Sequence, residues 1–400
     1  MKKLLYLLLC VAMLTAPVCA ADESTTADRP AASTRAAQAA EVSVDIEWDS
    51  LVFTYHAGSG STWDAQRHSY QSADGGWADE TATITVTNHS DTAVLAGFSF
   101  TGNSGIRGTF SKSHLTLLAA DDAATTQFGI DPDSDAITAD GSLGQITVEL
   151  QPMATATDAE TLERVMTDWL DSGATELAIL LPPDADASML STLTAQLNRF
   201  PKAVSLTLAG IAELAESAFT GCKKLRTITL PDAIAVNGWT FQQCTALESA
   251  QLPCVRIVGM RAFEGCTKLT TVDLPRAETV GEYAFATCTK LTAIDLPCAA
   301  EIGEYTFSAC YALPEITVPC LTSIPNGLFY DCRVLTSITF GSVINRVGSG
   351  WLDGISTSEV VLILHPEQGN LGSKTTRFGE YGTFGGLTFR EVRVAEAPNN

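Results

Sequence analysis

The feature that most constrains this chain is a sequence unit that returns every 22 residues. EGCTKLTTVDLP (264–275) is followed 22 residues later by ATCTKLTAIDLP (286–297). A unit of this length is too short to bury its own apolar side chains, so it must stack on copies of itself. Equal spacing then places equivalent residues directly above one another. The sequence therefore predicts a solenoid whose strands lie about 4.8 Å apart.

Three columns of identical residues define the repeat. Phenylalanine, cysteine and leucine each recur six times at this spacing, and each copy continues into a strand of the form L-x-x-I-x-L. Proline ends most of these strands, because it has no N–H with which to continue a ladder. The phenylalanine and cysteine columns are predicted to be inward-facing structural positions: Phe219, Phe241, Phe263, Phe285, Phe307, Phe329, Cys222, Cys244, Cys266, Cys288, Cys310 and Cys332.

The repeat resembles the BspA-like leucine-rich repeat family of bacterial surface proteins, whose unit is similar to I-G-x-x-A-F-x-G-C-x-x-L-T-x-I-x-L-P. The matching stretches are VGMRAFEGCTKLTTVDLP (258–275) and VGEYAFATCTKLTAIDLP (280–297), within a resemblance that covers about residues 209–340. Asn237 and Pro325 replace the glycine of the V-G pair, and Ala250 weakens one strand. The resemblance implies an α/β leucine-rich repeat solenoid that serves as an extracellular adhesion or interaction module.

The first 20 residues, MKKLLYLLLCVAMLTAPVCA, combine two lysines, an apolar run and a small-residue site near Ala20. This pattern is typical of a secretory signal peptide, so the protein is expected to be secreted or displayed at the cell surface. A lipid anchor on Cys19 is the alternative, because bacterial lipoproteins keep a cysteine at the cleavage site. Residues 21–40 lack apolar periodicity and are predicted to be a flexible leader.

Residues 41–152 carry a different pattern, in which apolar residues alternate along short segments such as Val42 to Trp48. Turn-rich stretches such as HAGSGS (56–61) separate the segments. About seven or eight such strands predict an antiparallel β-sandwich. This region loosely resembles the immunoglobulin-like modules of bacterial surface proteins. The predicted fold is thus multidomain, with an all-β immunoglobulin-like sandwich followed by the solenoid.

Caps are predicted on both ends of the repeats at 210–340. Residues 153–209 alternate helix and strand, and the first helix has a predicted capping box of Thr157 and Glu160 and a stop at Gly173. After Trp351 the repeat pattern fails, whereas VVLILHP (360–366) and GLTFREVRV (386–394) alternate as strands. Residues 153–209 and 341–400 are therefore predicted to cover the two ends of the solenoid.

The eleven cysteines could react or pack. Nine remain without the signal peptide, an odd number, so they cannot all pair. Stacked cysteines have parallel Cβ directions, which keeps the Cβ atoms farther apart than the roughly 3.8 Å of a disulfide. The repeated column is therefore predicted to pack as small apolar groups. Cys254, Cys298 and Cys320 form a second column that shares a position with Arg276 and is expected to be exposed; a bridge between Cys298 and Cys320 stays open.

No catalytic pattern accompanies these features. The five histidines show no HExxH spacing, and neither G-x-S-x-G nor a P-loop occurs. Asp131, Asp133 and Asp135 alternate as in a calcium loop, but they lack the glycine and glutamate that an EF-hand needs. Asn88-His89-Ser90 is a glycosylation sequon by pattern only. We therefore predict no catalytic residue, no cofactor and no metal site, and keep a hydrolase only as an alternative.

The outward strand positions of the repeats are the predicted ligand-binding face, because solenoids bind on extended surfaces. A formal charge of −22 argues against nucleic acid as a partner, since phosphate binding needs a lysine- and arginine-rich surface. The expected partner is a host or microbial surface protein or glycan, and carbohydrate capture by the sandwich is the alternative. No segment is apolar enough to span a membrane. The candidate residues are Arg226, Thr229, Glu248, Gln251, Thr271, Asp273, Asp295, Glu315 and Thr317.

Overall fold

The computed structural model describes residues 6–7, 12–18, 42–48, 55–56, 61–64, 69–72, 76–77, 81–102, 106–131, 144–371 and 374–394. They belong to two compact units, Met1–Met153 and Ala154–Asn399. The predicted leader at 21–40, the lipid-anchor candidate Cys19 and the cleavage site at Ala20 lie outside the described residues.

The first unit is built from β-strands, with no helix among its described residues. Its strands are β1 (Tyr6–Leu7), β2 (Ala12–Val18), β3 (Val42–Trp48), β4 (Tyr55–His56), β5 (Ser61–Asp64), β6 (Ser69–Ser72), β7 (Gly76–Trp77), β8 (Thr81–Asn88), β9 (Ala93–Gly102), β10 (Gly108–Phe110), β11 (His114–Leu117), β12 (Asp122–Ile130) and β13 (Gly144–Thr155).

Two antiparallel sheets make up most of this unit. One has the order β1-β3-β8-β12-β10, and in the other β9 lies between β11 and β13. Burial alternates along β8, so one face of the strand packs into the core with Phe98 and Phe128. Strand β2 pairs with Gly144–Leu150, and β1 pairs with the start of β3. Both β1 and β2 fall within the segment predicted to be a signal peptide, which stays a prediction.

The second unit opens with helices α1 (Ala159–Ser172) and α2 (Ala187–Leu197). The predicted capping box of α1 is wrong by one residue: Asp158 is the N-cap, and its side chain accepts a hydrogen bond from the Thr161 N–H at 2.8 Å. The Thr161 hydroxyl in turn accepts from the Asp158 N–H at 3.0 Å. A carboxylate is at least as good a cap as threonine. The helix ends at Gly173, whose φ of 70° lies in the left-handed region that favours glycine.

The strands of the second unit are short and recur regularly. They are β14 (Glu176–Leu180), β15 (Val204–Ala209), β16 (Glu213–Leu214), β17 (Leu225–Thr229), β18 (Ala235–Val236), β19 (Ser249–Gln251), β20 (Ile257–Val258), β21 (Thr271–Asp273), β22 (Thr279–Val280), β23 (Ala293–Asp295), β24 (Glu301–Ile302), β25 (Glu315–Val318), β26 (Ser323–Ile324), β27 (Ser337–Phe340), β28 (Arg346–Val347), β29 (Val361–Leu364), β30 (Gly379–Glu380), β31 (Thr383–Phe384), β32 (Leu387–Thr388) and β33 (Glu391–Val394). A 3₁₀ helix covers Thr357–Glu359.

Stacked coils form two parallel ladders. One runs β14-β15-β17-β19-β21-β23 and the other β16-β18-β20-β22-β24. Thr227, Ser249, Thr271 and Ala293 are successive partners in the first ladder, so paired residues are 22 apart in sequence. A third column is formed by turns, in which each phenylalanine N–H donates to the next coil, as from Phe263 to the carbonyl of Ala284 at 2.8 Å. From the coil of Phe219 to the coil of Phe285, each coil is thus bonded to the next on three sides.

Both strand ladders stop at one interface. Within the described residues, no backbone hydrogen bond joins residues 292–302 to residues 314–325, an interface that we name the seam. The turn column continues past it, because Thr287 N–H donates to the carbonyl of Ser308 at 2.7 Å. Stacked phenylalanine rings lie 5.1–5.3 Å apart before the seam and 5.8 Å apart both across it, from Phe285 to Phe307, and after it, from Phe307 to Phe329. The coils therefore stay hydrogen-bonded through the backbone on the turn side, while the strand sides lack such bonds.

Two prolines remove ladder donors at the seam. Thr292 and Thr336 donate their N–H groups to the preceding coil at 3.0 and 2.8 Å, and Pro314 occupies the equivalent position without an N–H. In the second ladder Gly303, which follows β24, and Gly348, which follows β28, donate at 2.8 and 2.7 Å, and Pro325 after β26 occupies the equivalent position between them. Both prolines therefore remove a donor at the same interface.

After the seam the ladder resumes as β25-β27-β29-β33. All three pairings are parallel, so β29 and β33 extend the sheet beyond the last repeat. Trp351 follows the phenylalanine column and contacts Phe329 and Phe389, with ring centroids at 6.4 and 6.2 Å. The apolar edge of the last coil is thereby covered.

Candidate ligand-binding face

The outward faces of β19, β21, β23 and β25 line an open groove of about 520 Å³. Successive strands place equivalent side chains side by side, because the chain advances by one repeat from each strand to the next. The groove crosses the seam, since β23 and β25 lie on its two sides. Its outward-facing side chains are those of Ser249, Gln251, Thr271, Asp273, Ala293, Asp295, Glu315 and Thr317.

Six of the nine candidate residues meet in this groove: Gln251, Thr271, Asp273, Asp295, Glu315 and Thr317. The other three lie outside its lining. Arg226 on β17 donates to the Ser205 hydroxyl at 2.9 Å, Thr229 donates to Gln251 at 3.1 Å, and Glu248 precedes β19 with an exposed side chain. The candidate set therefore forms one groove and one flank.

The groove is acidic. Asp273, Asp295 and Glu315 contribute exposed carboxylates, and neither lysine nor arginine is among its lining residues. No group of side chains in the described part of the chain has the arrangement of a metal site. The face is therefore suited to a ligand with positive charge rather than to an anion.

The repeated cysteines are buried on the inner side of the turns, with no exposed surface. From the second coil onward each thiol donates to the carbonyl of the preceding coil's phenylalanine, at distances from 2.9 to 3.2 Å. Burial raises the pKa of Cys266 and of Cys332 to about 12. Because the thiolate is the reactive form, this column packs and hydrogen-bonds instead of reacting.

The second cysteine column lies at the surface. Cys298 and Cys320 are exposed, and Cys254 is half-buried. All nine cysteines outside the predicted signal peptide are free thiols.

Aromatic side chains cluster on the turns, away from the groove. Tyr283 and Tyr305 are stacked with centroids 5.1 Å apart, and Arg261 lies 4.4 Å above the Tyr283 ring. These rings cover one another's faces, so the stack offers mainly its edges to solvent. The sandwich aromatics Trp63, Tyr70 and Trp77 lie in strands whose side chains are outside the described residues.

The glycosylation sequon, the histidine within it and the possible calcium loop can be compared with the structure where it describes their residues. The Asn88 side chain is buried and donates to the carbonyls of Thr92 and Leu118, both at 2.8 Å, which speaks against its glycosylation. His89 is bonded to Asp121 and lies 3.2 Å from Asp45, and the hydrogen bond to Asp121 raises its pKa. Asp131 lies near Arg107, whereas the other two aspartates of the possible calcium loop, Asp133 and Asp135, are outside the described residues.

Sequence reasoning missed the seam, although its signal was present. Pro314 stands where the neighbouring repeats have Thr292 and Thr336, and Pro325 stands where they have glycine. Two prolines at ladder-donor positions of one coil predict an interrupted ladder.

Stacked parallel strands, an inward leucine column and buried phenylalanine turns define a leucine-rich repeat solenoid. The model of the BspA-type leucine-rich repeat region matches in 6 copies, over residues 202–298 and 236–359. This part of the chain belongs to the BspA-type leucine-rich repeat family. The family indicates a protein-interaction module of bacterial cell surfaces.

Two solved structures are similar to this chain. A leucine-rich repeat protein from Bacteroides ovatus has 22% identity and a TM-score of 0.27, with 48% of this chain and 61% of that chain covered. A leucine-rich cell surface protein from Faecalibacterium prausnitzii has 16% identity and a TM-score of 0.23, with 44% and 62% covered. This chain thus spans about three fifths of each. No curated protein matches it. None of the helices described here is long and apolar enough to cross a membrane.

Proposed function

We propose that this chain is an exported surface protein that binds a macromolecular ligand through the strand face of its solenoid. The groove over β19 to β25 is the observation that carries the proposal. Its volume of about 520 Å³ lies within the range of about 300–1,000 Å³ that is usual for ligand sites. Because its walls are repeated strands, it suits an extended segment that runs across several coils.

Charge indicates the chemistry of that segment. Three carboxylates, those of Asp273, Asp295 and Glu315, lie on the groove without a cationic lining residue. A protein segment with lysine or arginine side chains would complement them and would approach faster at low salt. Binding should therefore weaken as ionic strength rises.

A matched pair of triple variants tests this proposal. Asp273→Asn, Asp295→Asn and Glu315→Gln together remove the groove charges. Glu213→Gln, Glu282→Gln and Glu301→Gln remove three exposed carboxylates outside the groove. Both variants and the unchanged protein are measured against a panel of immobilised host and microbial surface proteins at two salt concentrations. We expect the groove variant to bind about tenfold more weakly at low salt and the control variant to bind normally. Equal loss in both variants would contradict the groove as the site.

The domain plan is part of the proposal. It comprises a signal peptide at 1–20, a leader at 21–40, an immunoglobulin-like sandwich at 41–152, an N-terminal cap at 153–209, 22-residue repeats at 210–340 and a C-terminal cap at 341–400. The two antiparallel sheets and the 22-residue pairing offset support it. Mass spectrometry of protein recovered from the cell envelope and the medium tests the cleavage near Ala20. A diacylglycerol mass on Cys19 would instead establish the lipid anchor.

Carbohydrate capture by the first unit is the alternative. Its aromatic candidates have no described side-chain geometry, so no structural observation favours it. A glycan array with residues 41–152 discriminates, since selective glycan binding by this segment would move the ligand site away from the solenoid.

A further inference from the structure

We infer that Cys298 and Cys320 form a disulfide that clamps the seam under oxidising conditions. The inference goes beyond the proposed binding function and does not depend on the identity of a ligand. It rests on the position, exposure and contacts of the two thiols and on the missing ladder between their coils.

The two cysteines occupy equivalent positions on opposite sides of the seam. Each directly follows a proline, Pro297 or Pro319, at the end of its strand. The Cys320 Sγ lies 3.1 Å from the carbonyl oxygen of Pro297, the residue bonded to Cys298. Among the described residues, this is the hydrogen bond that connects the two strand sides of the seam. The Cys320 thiol therefore already lies against the backbone of its proposed partner.

The Cys298 thiol has to turn for the bond to form. Its Sγ lies 3.4 Å from the carbonyl oxygen of Pro275, in the coil on the side away from Cys320. Rotation about χ1 exchanges that weak contact for one with Cys320, and Cys298 is exposed, so no packing opposes the rotation. Strands at about 4.8 Å spacing satisfy the Cα separation of a disulfide, about 4.4–6.8 Å, but fix the Cβ directions in parallel. At the seam no ladder bond enforces that parallel arrangement.

The same step is blocked elsewhere in the solenoid. Cys266 and Cys288 are also in neighbouring coils, but both are fully buried and both donate to backbone carbonyls. Their coils are held by intact ladders on both strand sides. Cys254 and Cys298 are separated by the coil that carries Arg276. Cys298 and Cys320 are therefore two exposed cysteines in neighbouring coils whose strand sides are not held by a ladder.

The chemistry is thiol–disulfide exchange with a small disulfide such as glutathione disulfide. One protein thiolate attacks a glutathione sulfur and releases one glutathione. The second protein thiolate then attacks the mixed disulfide and releases the other glutathione. In total two protein S–H groups are oxidised to one S–S bond, and one glutathione disulfide is reduced to two glutathione molecules.

A disulfide at this place would join covalently two strand sides that no backbone hydrogen bond joins. The groove spans the seam, so the bond would also fix the separation of Asp295 and Glu315 across it. That consequence for binding rests on the proposed function, whereas formation of the bond does not.

Peptide mapping of the chain without residues 1–20 tests the inference. The reduced protein is incubated in a glutathione redox buffer, alkylated, denatured and digested with trypsin and a glutamate-specific protease. Cys298 then lies in peptide 291–301 and Cys320 in peptide 316–333, which also holds Cys332. We expect the two peptides to be joined, with fragment ions that place the bond on Cys320. Free thiols should fall from nine to seven.

Two variants and a second measurement complete the test. Cys298→Ser should abolish the joined peptide, whereas Cys254→Ser should leave it intact. Hydrogen exchange should slow severalfold at amides of 292–302 and 314–325 on oxidation of the unchanged protein, and this change should be absent from Cys298→Ser. Alkylation of both thiols after oxidation, stable glutathione adducts on each, or a bond to Cys332 or Cys254 would each overturn the inference. No ligand is present, so this failure is distinct from a failure of the proposed function.

Discussion

Replacement of Phe263 by alanine tests whether stacked rings or stacked thiols hold the coils together. Phe263 is fully buried between Phe241 and Phe285, with ring centroids at 5.1 and 5.3 Å. Cys266 in the same turn is also fully buried, and its thiol donates to the carbonyl of Phe241 at 3.1 Å. The two side chains therefore share one layer of the core and differ in the volume that they fill.

The expected losses follow from that volume. A buried phenylalanine-to-alanine change usually lowers the free energy of unfolding by about 3–5 kcal/mol, through lost transfer energy and the cavity left behind. Ladder bonds hold the neighbouring coils at fixed spacing, so the cavity at Phe263 can collapse little, and we expect a loss of about 4–5 kcal/mol. Cys266→Ala removes one heavy atom and one weak hydrogen bond, for which we expect about 1–1.5 kcal/mol.

Urea denaturation and hydrogen exchange measure the two effects. The free energy of unfolding is compared for Phe263→Ala, Cys266→Ala and the unchanged protein, each with and without reductant. Because a solenoid coil contacts mainly its neighbours, exchange should rise most in residues 241–295 and least after residue 329. Reductant should not alter the loss at Cys266, since its thiol is free and its pKa is raised to about 12.

One result would refute the reasoning. If Cys266→Ala destabilises the protein as much as Phe263→Ala, or if its loss appears only without reductant, the cysteine column does more than fill space. The cysteines would then have to be interpreted as cross-linked rather than as packing groups.

Further predictions concern three other regions. Pro314→Thr supplies the missing N–H donor to the carbonyl of Thr292. The new hydrogen bond stabilises the protein by about 0.5–1.5 kcal/mol, and the loss of proline's restriction on the unfolded chain destabilises it by about 0.4–1 kcal/mol. We therefore expect a newly protected amide at position 314 and little change in Tm. An unprotected amide there would show that the seam does not depend on proline. The raised pKa of His89, caused first by its hydrogen bond to Asp121, stabilises the first unit fully below the unfolded value of 6.5, and this stability is lost as pH rises through the higher folded pKa. The free energy of unfolding measured by hydrogen exchange at the amides of β8, after correction for intrinsic rates, should therefore be lower at pH 8.5 than at pH 6. His89→Gln should remove this difference. Deletion of residues 359–400 uncovers β27 and should cause aggregation; a monomer with a cooperative melt would contradict it.

The repeats were predictable because stacking converts a sequence period directly into a spatial column. Each phenylalanine position of the six copies is fully buried in the same way, and the partners of Thr271 in both neighbouring strands are the residues one period away. Such a prediction needs no long-range inference, since every contact is a contact with the adjacent copy.

The seam was harder to predict because it depends on a group that is absent from the backbone. In the side-chain pattern Pro314 occupies an ordinary outward position. Its effect is on the backbone, because the carbonyl of Thr292 receives no N–H donor from position 314. The register of α1 shows a similar limit. Thr157 and Asp158 are both capping residues by composition, and the choice between them is made by the side chain of Thr161, which completes the box.

The register of the solenoid also bears on what kind of ligand it can select. Column positions repeat along the axis, so a single groove residue such as Asp273 has an equivalent in the neighbouring coil, here Asp295. The other two coils of the groove carry Gln251 and Thr317 at this position, so the surface that a ligand meets differs from coil to coil. The seam adds a further difference, because no backbone hydrogen bond between described residues joins its two strand sides. A ligand that contacts Asp295 and Glu315 together spans this interface, at which no ladder between described strands sets the strand spacing. If a ligand needs both carboxylates, the spacing across the seam contributes to the register in which it binds, and Pro314→Thr, which supplies one of the missing donors, should change ligand affinity more than it changes stability.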